Sequence, residues 1–196
     1  MKKILYPFIA MALAAGSAHA AGPTNSIRGA LLLNTVGSVR AIEYEKMFND
    51  RVSIGARVGT LKYEYDESDY DEDGDGNGAE FLVRVYPGGN GFNGFYFGAA
   101  VGFWQTEWDF YETDFPFNYY YGSGETDSIN VNVGVGWKIP LGSDKVYIDP
   151  SITVGNYFGI SDDSTYIDRF GIVYTDQAES ELGVYVAGGV AIGVNF

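Results

Sequence analysis

The chain contains no cysteine and a single histidine, His19. Without thiols there are no disulfides, no thiol nucleophile and no cysteine-based metal site. Beyond position 19 it lacks the side chain best suited to general base work near neutral pH. Cations are scarce: 12 Lys and Arg stand against 26 Asp and Glu, a net charge of −14. That sign argues against a nucleic-acid partner and against a polybasic surface for anionic lipid. No apolar run reaches the roughly 20 residues of a spanning helix, and no stretch keeps a helical period.

What is present begins with an export signal. Lys2 and Lys3 precede an apolar stretch at residues 4–15, and Ala18-His19-Ala20 places small residues at −3 and −1 of a signal-peptidase site. Cleavage after Ala20 is expected, which removes His19 and both lysines. Residues 21–196 then read as one domain, rich in Gly, Tyr and Phe.

The dominant signal in that domain is alternation. Ile129, Val131, Val133, Val135, Trp137 and Ile139 share one face of a strand, with Asn130, Asn132, Gly134, Gly136 and Lys138 on the other. The segments 95–103 and 182–196 repeat the pattern. The same parity predicts eight strands near 27–35, 39–48, 51–65, 79–86, 95–109, 128–139, 146–158 and 179–196. Turn residues after the second, fourth and sixth contrast with longer acidic and aromatic connections after the third, fifth and seventh. The fold class expected is all-β, an eight-stranded antiparallel up-and-down transmembrane β-barrel, with its even strand number leaving both chain ends on the periplasmic side.

A soluble sandwich would put its large apolar side chains inside. Here the bulky face carries aromatics at strand ends (Phe48, Phe95, Phe103, Trp137, Phe196), as an interfacial girdle requires. The other face carries small residues and charges, among them Arg28, Arg57, Arg84 and Lys138 against Glu43, Glu45, Glu80 and Asp149. Buried charges persist when paired, so this balanced set predicts a closed, ion-paired lumen.

These alternating strands, with the terminal Val190-x-Ile192-x-Val194-x-Phe196, resemble the small outer-membrane β-barrels of the OmpA/OmpX and opacity-protein kind. Arg84-Val85-Tyr86-Pro87 followed by Gly94-Phe95-Tyr96-Phe97-Gly98-Ala99 is similar to the central hairpin of porin-like barrels. The resemblance implies residence in the outer membrane among its lipids. It also implies that Phe196 serves as the signal read by the barrel-assembly machinery. Enzymes of this architecture rely on histidine, so the resemblance and the missing histidine together imply no catalysis. One barrel carries many activities, and the architecture alone does not choose among them.

Two segments carry candidate binding chemistry. Residues 69–80 match the calcium-loop pattern D-x-[DN]-x-[DN]-G-x5-E, with Asp69, Asp71, Asp73, Asp75, Asn77 and Glu80 as the ligand set for Ca2+. Its departures are the lack of flanking helices, Gly76 at the usually apolar eighth position, and a parity that turns Glu80 into the lumen. The second segment, residues 110–125, is crowded with aromatics. Phe115, Phe117, Tyr119, Tyr120 and Tyr121 are the expected contacts for a host or other surface protein, since tyrosine offers a rigid apolar body with a polar tip. The same rings suit the headgroup layer equally well. The function expected is envelope integrity or adhesion through these loops; the alternative is a narrow channel or a conduit for small hydrophobic molecules.

Overall fold

The computed structural model describes residues 23–35, 37–89, 91–114, 118–143, 145–176 and 183–196. The expected signal segment lies outside them. Nine strands follow in order: β1 (Asn25–Asn34), β2 (Gly37–Met47), β3 (Val52–Asp66), β4 (Tyr70–Val85), β5 (Gly94–Asp114), β6 (Asn118–Pro140), β7 (Val146–Asp168), β8 (Val173–Asp176) and β9 (Val184–Asn195). Each of β1 to β7 pairs antiparallel with the next, β7 pairs with β9, and β9 closes on β1. The result is an eight-stranded up-and-down ring, with β8 attached to the far end of β7. Closure leaves the ring no free edge, the condition for a sheet to cross lipid.

Period-two alternation sets which side chains face which medium. Ile129, Val131, Val133, Val135, Trp137 and Ile139 are exposed on the outside of β6, while Asn130, Asn132 and Lys138 are buried inside. Phe48, Phe95, Phe103 and Phe196 are exposed as well. Bulk therefore faces outward and polarity inward, the arrangement that lipid around a narrow barrel demands.

The connections differ from the expectation. β3 and β4 meet through residues 67–69 alone, and β5 and β6 run far beyond the apolar belt, still paired at Asp114 and Asn118. The acidic and aromatic segments expected as loops are largely paired strand. At the opposite end the connections stay short, and Gly89 and Gly91 take positive φ in the turn after β4. Asp127 pairs with Ser161 and Ser128 with Gly159, so Ile160 is an extra residue that bulges β7.

The calcium-loop reading of residues 69–80 is corrected here. Residues 70–80 lie in β4, paired on both sides, with Asp71 opposite Asp66 and Tyr111, and Glu80 opposite Arg57 and Gly102. An extended strand sends Asp71, Asp73, Asp75 and Asn77 outward and Glu80 inward, so the six residues cannot surround one ion. The glycine spacing of this stretch has a packing origin. Gly74, Gly76 and Gly78 recur at period two because a Cβ there would strike the Tyr63 ring, Thr106 and Trp104. They are seats for inward side chains rather than turn residues.

Candidate functional site: a filled lumen and an outward acidic face

Register builds the lower lumen. Arg28 lies directly across from Glu43, Glu43 from Arg57, and Arg57 from Glu80, so four consecutive strands present alternating charge on one inward row. Glu43 is the hub. It takes Arg28 Nη2 at 3.0 Å, Arg57 Nη2 at 3.2 Å, and both Arg84 terminal nitrogens, Nη2 at 3.0 Å. Arg28 also pairs with Asp149, and Arg57 Nη1 with Glu80 at 2.9 Å. Glu45 accepts Arg84 at 2.7 Å and Lys138 at 2.6 Å. All eight charged residues singled out from the sequence thus lie in one connected network.

Neutral donors complete it. Tyr86 donates to Glu45 at 2.7 Å, Ser53 donates to the same carboxylate, and Tyr96 donates to Asp149 at 3.0 Å. Trp104 Nε1 donates to Glu80 at 3.2 Å. Lys138 Nζ sits 4.2 Å from the Phe92 ring centroid and 4.8 Å from that of Tyr147. A void of about 30 Å³ beside Arg28, Arg57, Arg84 and Tyr96 has the size of a water or two.

Above the charges the lumen turns aromatic, which the sequence reading missed. Leu61, Tyr63, Trp104, Trp108, Phe110, Tyr157 and Tyr185 form one buried cluster. Trp104 packs edge-on against Tyr157 at 6.3 Å, and Tyr157 lies 5.1 Å from Tyr185. Carrying the inward parity of β5 past Gly102 would have found Trp104, Trp108 and Phe110. Glycines make room across the seam: a Cβ on Gly124 would collide with Trp108, and one on Gly155 would come within 2.6 Å of Tyr185.

The outward face of the extensions differs in kind. Asp75, Glu107, Glu125 and Asp163 are cross-strand neighbours in one row, and Asp73 and Asp109 pair in the next. Together with Ser123 and Thr165 they line a depression of about 590 Å³. Partial desolvation and the Asp66 carboxyl directly opposite push the Asp71 pKa upward. Among the described residues no group of three or more acidic side chains converges as a metal site.

The expected aromatic contacts are divided by the same alternation. Tyr119 and Tyr121 point outward and are exposed, joined by Tyr111 directly across from Tyr121. Tyr120 faces the other way and packs 6.0 Å from Tyr166, so it leaves the expected contact set. Phe115 and Phe117 lie outside the described residues. Phe196 is exposed, with backbone hydrogen bonds tying it to Asn25 at the rim.

A closed eight-stranded ring with an apolar outer wall and a lumen packed with paired charges and aromatic rings defines the class: the chain has the fold of a small outer-membrane β-barrel. No protein-family model and no curated protein sequence matches it. Among solved structures it is similar to a major outer membrane protein from Thermus thermophilus. The TM-score is 0.57 at 14% identity, over 89% of this chain and 100% of that one. It is also similar to CarO of Acinetobacter baumannii, with TM-score 0.50 at 14% identity over 89% and 98% of the two chains. Ail, the attachment invasion locus protein of Yersinia pestis, gives 0.50 at 12% identity over 89% and 99%. At these identities the likeness is one of fold.

Proposed function

We propose that the protein is a non-enzymatic outer-membrane barrel that makes surface contacts through the outward face of its strand extensions. The observation that carries this reading is the division of that face. Rows of like-charged carboxylates that neighbour one another across β4 to β7 lie beside Tyr111, Tyr119 and Tyr121 at the tip. Like charges directly opposite one another cost stability in a sheet, so a face that keeps them is better explained by a partner of opposite sign. That partner is a protein surface with cationic character, and the tyrosines supply its apolar anchors. The similarly folded Ail, by its name an attachment protein, is in keeping with a contact role.

The full chain, folded into phosphatidylcholine vesicles, should be retained on poly-lysine beads but not on poly-glutamate beads. Retention should weaken in a Tyr111→Ser, Tyr119→Ser, Tyr121→Ser variant. Equal retention on both beads would reject the reading. The charged network across the lower lumen favours this function over a channel, and planar-bilayer recording should show no stable conductance.

A further inference from the structure

On the outer wall a cation stands with no acid among its same-face neighbours. Arg40 of β2 points outward and is exposed. Its same-face neighbours are Ser38 and Ile42 along the strand, Gly29, Leu31 and Leu33 on β1, and Val58, Thr60 and Lys62 on β3. None is acidic, in a chain where 26 acids face 12 Lys and Arg. Arg40 makes no ion pair or side-chain hydrogen bond among the described residues, whereas every lumen arginine makes several. Lys62, one row further out, faces Asp75 across the β3–β4 ladder and is locally balanced.

The wall beside Arg40 is dented. On the row Ile192–Gly29–Ile42–Val58, Gly29 replaces what would be a branched side chain, and a Cβ built there meets open space. Around it lies a groove of about 850 Å³ whose lining includes Leu31, Arg40, Ile42, Val58, Thr60 and Asn77. The flanking Leu31, Ile42, Val190 and Ile192 are exposed apolar side chains of the belt, so lipid covers this groove. Arg40 stands three residues from the start of β2, near the end remote from the rim that holds Phe196. An arginine at that depth can extend its guanidinium to the headgroup layer while its stem lines the groove.

We propose that this wall seats one phosphorylated glycolipid of the outer leaflet, its acyl chains in the Gly29 groove and its phosphate on Arg40, with Thr60 and Asn77 as neutral partners. A guanidinium at the edge of hydrocarbon needs an anionic acceptor, and the protein supplies none among the described residues. A bidentate arginine–phosphate contact meets that need, and the apolar groove matches the other end of the same molecule. The inference rests on the reading of this wall as lipid-facing.

The test is native mass spectrometry of the full chain released from vesicles of phosphatidylcholine doped with bis-phosphorylated lipid A. Parallel samples carry dephosphorylated lipid A or phosphatidylglycerol. Wild type should retain one phosphorylated lipid A, Arg40→Gln should retain about tenfold less, and Arg40→Lys should fall between them, since a charge-assisted contact is lost or weakened. Dephosphorylated lipid A should be lost. Equal retention by wild type and Arg40→Gln, or of the dephosphorylated form or phosphatidylglycerol as well as lipid A, would overturn the site. Heat-modified gel mobility shows that each variant is folded. Failure of wild type to insert at all would instead count against the membrane reading itself.

Discussion

Glu43 tests the lumen most sharply, because replacing it with glutamine keeps its shape and removes its charge. In the native barrel three arginines converge on this one buried carboxylate. Each keeps a second acid: Arg28 has Asp149, Arg57 has Glu80 and Arg84 has Glu45. Removing one partner of a buried pair costs about 3–5 kcal/mol, because the survivor is stranded without a counter-charge. The second acids lessen that penalty at each arginine, but three arginines bear it together. A loss of about 3–5 kcal/mol is therefore expected for Glu43→Gln. The assay is urea unfolding in phosphatidylcholine vesicles, followed by tryptophan fluorescence, with Ile42→Ala as a control on the lipid side. Arg57→Gln added to Glu43→Gln should recover part of the loss, since it removes one stranded cation. A change below about 1 kcal/mol for Glu43→Gln, or a double variant worse than the sum of its singles, would refute the buried network as drawn.

Three further outcomes are expected. Glu80→Gln should lower stability by about 1–3 kcal/mol, by the same amount with and without calcium, because Glu80 serves Arg57 and Trp104; unfolding curves at both conditions decide it. Gly124→Val should cost about 1–3 kcal/mol by driving a side chain into the Trp108 ring, read as a fall in the urea midpoint. Asp71 has a raised pKa in the folded tip, so the folded form binds the proton more tightly than the unfolded form does. Its ionisation therefore weakens the β3–β4 extension, and stability should rise as pH falls through the carboxylate range. Amide exchange at the tip, corrected for its intrinsic pH dependence, should show greater protection near pH ~4 than at pH ~7, with the difference reduced in Asp71→Asn.

How much of this was legible before folding depends on the range of the interaction. Alternation is local, so the barrel wall could be read residue by residue: the outward Val131, Val133 and Val135 and the inward Asn130, Asn132 and Lys138 follow from parity alone. The same parity placed eight charges inside. It failed where composition overrode it. The acids and glycines of residues 69–80 looked like a loop because Gly and Asp usually punctuate strands. Their alternation continued through the stretch, and with it the strand.

Partnership is what the sequence by itself could not decide. That Glu43 would gather three arginines depends on the registers of β1 to β4, and register is a property of the paired sheet. That Gly78 makes room for Trp104 depends on residues brought opposite each other from two strands. Arg40 is the clearest case. Its place along the chain is ordinary, and only the pairing of β1, β2 and β3 shows that all its outward neighbours lack an acid. Facing is fixed by the two-residue period of the backbone, which every segment carries alone; pairing is fixed by which strands meet, which only the closed barrel supplies.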